Sequence, residues 1–379
     1  MTASTKNSFK PCKSWRVFFA MSALFASVAW GAPEFGLSAA FAAAPDREDE
    51  DLSASYLATQ APECAAAQKA PVTGVVYVAR DGSDSNSGQH LATLNCALQV
   101  ASKFSRQVMA KVTIMVGPGE YTGEQVLWTP SASSPEIVIQ PATGARPRFN
   151  GGGNGAWLTV KAAFNQLTPL TVTGMEVVNY QTAVSLDGRN DANGWNGGVK
   201  IVNNRFANIG SQLAGEKHST AAIRFVNSRN NLVQGNQFVN IRNSDRCGAL
   251  HSVYMAHFSS HNAIRDNSFD GGCGDPIKVR DQSNDNLVAN NTFRDQQVQE
   301  LFLDSFCNQD VRSDCTAHHP ECPSTGNQFT NNKYLLGAGE TPPASFTVKQ
   351  TVSVSGCAVD NPQEGRIRES GTIGARQQY

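Results

Sequence analysis

Net charge is the first thing this chain lacks. Against 32 Asp and Glu stand 31 Lys and Arg, a formal charge of −1 over 379 residues. That balance excludes a general attraction to nucleic acid or to a membrane surface. Any acidic ligand must therefore be met by a local cluster of cations. A long apolar run is also missing. The stretch that comes nearest, residues 17–30, is short of the roughly 20 residues a membrane-spanning helix needs, and Gly31, Pro33 and Glu34 follow at once. Helix-period spacing is scarce, and the Cys and His residues show no standard zinc pattern.

What the chain has at its start is an address label. Lys6, Lys10, Lys13 and Arg16 precede the apolar run, and Ala40-Phe41-Ala42 offers a small-x-small cleavage site. Residues 1–42 read as a signal peptide with Ala43 the first mature residue; a retained anchor is the alternative. The compartment implied is the periplasm or the exterior of a bacterium. Residues 43–74, rich in Ala and Pro with an acidic patch at 46–51, read as a flexible leader.

Nine Cys become eight once Cys12 leaves with the signal: Cys64, Cys96, Cys247, Cys273, Cys307, Cys315, Cys322 and Cys357. An even set in an exported chain reads as disulfides. The preferred pairs are Cys64–Cys96 and Cys247–Cys273. Connectivity of the last four is not legible, and a zinc site of these Cys with His318 and His319 is the competing reading.

The body of the chain is organised by a returning phrase, Asn-x-Phe. It occurs at Asn204-Arg205-Phe206, Asn236-Gln237-Phe238, Asn267-Ser268-Phe269, Asn291-Thr292-Phe293 and Asn327-Gln328-Phe329, at spacings of 32, 31, 24 and 36 residues. Repeats of this length mark a solenoid whose units bury their apolar faces by stacking. Short runs such as Ile201-Val202, Leu232-Val233 and Ile277-Lys278-Val279-Arg280 lie between Asn, Ser, Asp and Gly, which suits several strands per coil. Asn tolerates a left-handed backbone and can turn a corner, and Asn side chains at equivalent corners can bond one another. The Phe that follows then points inward onto the next Phe. A right-handed parallel β-helix over residues 75–337 is the expected fold, with 338–379 a strand or tail packing on it or trailing from it. A β-sandwich with Asn-rich loops is the alternative. Leu94, Ala97, Leu98, Ala101 and Phe104 predict a short amphipathic helix that caps the first coil against edge pairing.

Three passages carry a resemblance. Tyr77-Val78-Ala79-Arg80-Asp81-Gly82, Ile114-Met115-Val116-Gly117-Pro118-Gly119-Glu120-Tyr121 and Ile137-Val138-Ile139-Gln140-Pro141 resemble the entry of right-handed β-helix proteins of the pectate-lyase superfamily. Within it, residues 275–293 are similar to the catalytic coil of the chondroitinase-B and alginate-lyase family, with Arg280 or Lys278 about where its basic catalyst sits. The next coil departs from the pattern: where that family has an Arg, this chain has Glu300-Leu301-Phe302-Leu303-Asp304. The resemblance implies a metal, Ca2+, for which Asp275 and Glu300 are the acidic candidates.

Strand alternation gives a reading of the chemistry. With Ile277 and Val279 inward, Lys278 and Arg280 point out together. Carried to neighbouring coils, this register sets Arg224, Met255, His257, Glu300, Phe302 and Asp304 outward, so that His257, Arg280 and Asp304 form a row beside Arg224 and Lys278. Such a face suits an acidic polysaccharide bound by a monomer and cleaved by β-elimination. Lys278 is the expected base, Arg280 the partner of the uronate carboxylate and His257 the acid or orienting group, with Arg224 and Asp304 binding substrate. The same machinery can run as an epimerase. A glycoside hydrolase needs two carboxylates, for which Asp275, Asp281, Glu300 and Asp304 are available. A non-catalytic glycan-binding protein, its charges merely solvated and ion-paired, is the third class.

Overall fold

The computed structural model describes residues 64, 66, 74–85, 90–211, 218–307, 321–337, 340–349, 357, 367–370 and 375–376. The signal peptide, most of the leader, Cys315 and the His318-His319 pair lie outside the described residues.

Strands follow one another in a fixed rotation. Lys111–Val116, Gly119–Thr122 and Val126–Trp128 enter three different sheets, and Glu136–Pro141, Pro147–Asn150 and Ala156–Lys161 then stack on them in turn. Repeating this cycle builds sheets of 11, 9 and 8 strands in which each strand pairs in parallel with the strand one coil away. The molecule is a right-handed parallel β-helix, the hand that crossovers between parallel strands take. Beyond residue 337, Ala344–Val348, Ile367–Ser370 and Ala375–Arg376 pair in parallel with the coil before them.

The corner between the first and second sheets shows how the phrase works. The left-handed residue is the one before the Asn: Asn203, Gly235, Asp266, Asn290 and Asn331 have φ of 56°, 66°, 59°, 56° and 53°. The Asn itself spends its side chain on the stack. Asn236 Oδ1 accepts from the Asn204 backbone N–H at 2.9 Å and from Asn204 Nδ2 at 3.1 Å, while its own Nδ2 donates to Ile201 O at 2.8 Å. The pattern repeats through Asn267 and Asn291 and ends on Asn332. All five amides are buried, so each bond is made where its loss would leave a polar group dry.

Asn327 does not belong to this ladder. It bonds Asn286 at the corner entering the first sheet, where Asn231, Asn262 and Asn286 form a second ladder behind left-handed Asn230, His261 and Asp285. The spacing of 36 therefore joins two different corners. The true coil runs from Asn291 to Asn332, and Tyr334 takes the place in register after Phe293. The four preceding rings do stack as expected, with centroids 5.3 Å apart for Phe206–Phe238 and 4.8 Å for both Phe238–Phe269 and Phe269–Phe293.

The predicted helix forms at Leu94–Ala101 with Thr93 as its N-cap, and it packs on the strands of the first coil. Cys64–Cys96 and Cys247–Cys273 are disulfides with Cα atoms 5.2 and 5.4 Å apart. Cys322–Cys357 is a third, and Cys307 is disulfide-bonded as well. Among the described residues no helix is long and apolar enough to cross a membrane.

The ladder and the capping helix can each be tested. Asn236→Ala removes the acceptor from the Asn204 N–H and should cost about 1–3 kcal/mol in chemical denaturation. An unchanged midpoint would show that the ladder is not a source of stability. At the start of the helix, the Glu124 carboxylate accepts from the Asn95 N–H at 2.9 Å. Burial pushes its pKa up to about 7. The folded state then holds a proton the unfolded chain releases, so this group's contribution is present at low pH and is lost as pH rises through about 7. Unfolding free energy should fall across that window, and Glu124→Gln should flatten that part of the slope.

Candidate functional site

The outer face of the third sheet carries the charged side chains. Its strands do not alternate strictly. At the entry of four of them, two successive residues are core: Trp157-Leu158, Ala183-Val184, Ala222-Ile223 and Leu301-Phe302. The residue ahead of each such pair is therefore turned outward, and alternation resumes afterwards. Ala221, Tyr254 and Ala256 accordingly form an apolar cluster of their own, separate from the core.

Register decides which residues meet. Val253 pairs with Ile277, Tyr254 with Lys278 and Met255 with Val279. In the next coil Phe302 pairs with Ile277, Leu303 with Lys278, Asp304 with Val279 and Ser305 with Arg280. Met255 and Phe302 are thus core residues, contrary to the outward placement expected of them. Asp304 is in register with Val279 and Val348 in a core column and is fully buried, so it is not part of an exposed row. His257 lies one residue past the strand at a left-handed turn, φ 51°. The expectation was displaced by one residue in both coils, and Tyr254 was missed for that reason.

Two separate clusters result. The first lies at the upstream end of the strands. His251 Nδ1 is 2.9 Å from Asp275 O, and the Lys278 ammonium stands 5.2 Å above the centre of the Tyr254 ring. Glu300, one coil beyond Asp275, has Lys349 Nζ at 3.5 Å from Oε1. Lys278 is 1% exposed, Glu300 3% and Tyr254 4%. Burial pushes the Asp275 carboxyl up to about 6; His251 pulls it back, Glu300 pushes it further, and Lys349 and Lys278 pull it back. Arg224 neighbours Tyr254 in the same outward column and lies 3.8 Å from Asp187.

The second cluster closes the downstream end. Arg280 donates to Glu321 through Nε at 2.8 Å and Nη2 at 2.9 Å, and Cys307 N–H adds a third bond to the same carboxylate at 2.6 Å. His257 Nδ1 is 3.0 Å from Asp281 Oδ2, and Cys322 N–H donates to Asp281 Oδ1 at 3.2 Å. Arg280, Glu321, His257 and Asp281 are all buried. Lys278 and Arg280 share one strand two residues apart, and the His257 N–H donates to Arg280 O at 3.1 Å. Arg280 and His257 hold neighbouring carboxylates, whereas Lys278 belongs with Tyr254, Asp275 and Glu300.

Neither cluster fits a Ca2+ ion. A hard cation takes six to eight oxygens. Asp275 and Glu300 instead face His251, Lys278 and Lys349, cations or N–H donors that already act on the two carboxylates. Among the described residues, His257, Asp281 and Glu321 place ligand atoms within 4.8 Å of one another, but the Arg280 guanidinium engages both oxygens of Glu321. Cutting that pair should be costly. Glu321→Gln strands a buried guanidinium and should destabilise the fold by about 3–5 kcal/mol, read from the denaturation midpoint. A change below about 1 kcal/mol would mean that solvent reaches Arg280.

No protein-family model and no curated protein sequence matches this chain. Likenesses to solved structures are distant. An alginate lyase from Paenibacillus sp. str. FPU-7 is 13% identical over 73% of this chain and 97% of that one, with a TM-score of 0.48. The catalytic domain of a GH87 α-1,3-glucanase in complex with nigerose is 17% identical over 69% of this chain and 39% of that one, TM-score 0.44. Pectate lyase Pel9A is 12% identical over 76% and 78%, TM-score 0.39. These likenesses assign no family. The fold stands on the strand pairing, and the chemistry has to be argued from the site.

Proposed function

We propose that the chain is an exported polysaccharide lyase that cleaves a uronate-containing polymer by β-elimination, with Tyr254 and Lys278 at its centre. The observation that carries this reading is their pairing. Neighbouring parallel strands set a phenol and an amine side by side on one outer face, with Arg224 beside them. Elimination needs those three kinds of group. Arg224 pairs with the uronate carboxylate, which makes the C5 proton acidic. Lys278, as the neutral amine, accepts that proton. The electron pair forms the C4–C5 double bond, the C4–O bond breaks, and the Tyr254 hydroxyl donates its proton to the departing oxygen. His257 and Arg280 act here through the downstream turn they hold together.

The test is a panel of alginate, polygalacturonate, hyaluronan and chondroitin sulfate, followed by ultraviolet absorbance from unsaturated uronate ends. Lys278→Ala and Tyr254→Phe should each lose on the order of 100-fold or more in turnover with the unfolding midpoint retained. A Lys278→Ala variant that cleaves at the wild-type rate would remove the residue from the mechanism.

One observation favours a second reading, glycoside hydrolysis. Asp275 just precedes the strand Ile277–Arg280, and Glu300 opens the strand paired with it one coil on. Backbones of paired strands are about 4.8 Å apart, near the separation retaining glycosidases use for their carboxyl pair. Asp275, with its pKa up at about 6, keeps its proton into mildly acidic pH and is the candidate acid. Under this reading activity falls as pH rises through about 6, products carry new reducing ends without the absorbance, and Asp275→Asn abolishes them.

A further inference from the structure

In the coils before Tyr254, the downstream edge of the third sheet is bordered by a structure the chemistry above does not use. Phe164, Trp195 and Arg229 stand in the segments that leave three consecutive third-sheet strands, Ala156–Lys161, Thr182–Asp187 and Ala221–Val226. The next strand in that sheet, His251–Ala256, carries Tyr254. At about 4.8 Å per coil, the strand feeding Trp195 lies about 10 Å along the axis from Tyr254.

These segments are bonded to one another. Asn165 Oδ1 accepts from the Gly194 N–H at 2.6 Å and the Trp195 N–H at 3.1 Å, and the Asn165 N–H donates to Trp195 O at 2.9 Å. Asn196–Gly197 pairs in parallel with Ser228–Arg229, and Asn196 Nδ2 donates to Ala162 O at 3.0 Å. Nothing in this bonding requires large apolar side chains at the surface. Yet Phe164 is 38% exposed, Leu167 is 51% exposed and Trp195 is half-buried. A loop that presents aromatic surface to water is the usual build of a binding site. The Arg229 guanidinium lies 5.8 Å over the Trp195 ring, and its Nε donates to Asn227 Oδ1 and Phe258 O, both at 3.2 Å. Aromatic surface at Phe164 and Trp195 with a fixed cation at Arg229 matches a sugar ring whose C–H face is apolar and whose rim carries a carboxylate.

We propose that Phe164, Trp195 and Arg229 form a sugar-binding platform that holds the acidic polysaccharide along the coils before the cleavage centre. The identity of the polymer rests on the lyase reading, whereas the platform itself rests on the geometry of these loops. The test is affinity electrophoresis through gels containing alginate, polygalacturonate, hyaluronan or chondroitin sulfate, with dextran as the neutral control. Lys278→Ala serves as background so that polymer is not consumed, and each variant's folding is checked by its unfolding midpoint. At least one acidic polymer should retard the protein more than dextran does. Adding Trp195→Ala should weaken that retardation about tenfold, the scale of one lost aromatic contact, and Phe164→Ala should weaken it in the same direction. Unchanged retardation in both variants overturns the platform, as does a wild-type protein that none of the acidic polymers retards. If no unsaturated uronate is released by the wild type but Trp195→Ala still loses binding, the platform stands and the lyase reading falls. Cleavage that depends on Lys278, with retardation indifferent to Trp195 and Phe164, overturns the platform and leaves the lyase reading standing.

Discussion

Everything on the surface of this protein depends on the register between coils, and register is held at the corners. Each buried Asn amide accepts from the coil before it and donates across the stack, so a slip of one residue would break both bonds at once. It would also turn every outward side chain of the next strand inward. Two ladders at two corners fix the phase of the first sheet at its entry and its exit. The third sheet, where the charges gather, has its phase set by the chain that leads to and from those corners. The stacked rings of Phe206, Phe238, Phe269 and Phe293 fill the space the corners define, and they do so because the register has already aligned them.

That hierarchy explains what could be read from the residues alone. The fold was legible because the same phrase serves the same corner four times, and the Cys247–Cys273 disulfide was legible because it joins positions about one coil apart. Asn327-Gln328-Phe329 misled because the second corner uses the same chemistry: a left-handed residue, then a buried Asn, then alternating apolar residues. The sequence offers no local mark that separates the two corners. Only the partner across the coil does, and for Asn327 that partner is Asn286.

The site was less legible because alternation fails at strand entry. Two successive core residues, such as Leu301 and Phe302, shift the phase that a strict period of two would assign. In His251–Ala256 alternation does hold, with Val253 and Met255 in the core, and there the phase itself was set one residue off. A usable signal was nonetheless present. Asn267 and Asn291 occupy the same corner 24 residues apart, and 24 residues before Lys278 stands Tyr254, its partner in the sheet. Corner-to-corner spacing is a better guide to facing residues than alternation, provided the corners are matched. Between Asn291 and Asn332 the coil is longer, and no constant offset carries across it. Glu321, which neutralises Arg280, sits in that longer segment and could not have been placed from spacing.

The two clusters also differ in what their charges cost. Arg280 and Glu321 face each other in bidentate geometry with a backbone N–H on the same carboxylate, the condition under which a buried pair offsets its desolvation. Around them the chain is tied down by the Cys322–Cys357 disulfide and the disulfide at Cys307. That arrangement suits a fixed closure of the downstream turn. The upstream cluster is different in kind. Burial raises Asp275 to about 6, Glu300 stands one coil after it, and the Lys278 amine lies over the Tyr254 phenol of the coil before. A carboxyl that titrates near neutrality beside another carboxylate is a poor device for stability, since its contribution changes across ordinary pH. Groups poised in this way are suited to moving protons. Of the two buried clusters on this face, the upstream one is therefore where chemistry is to be sought.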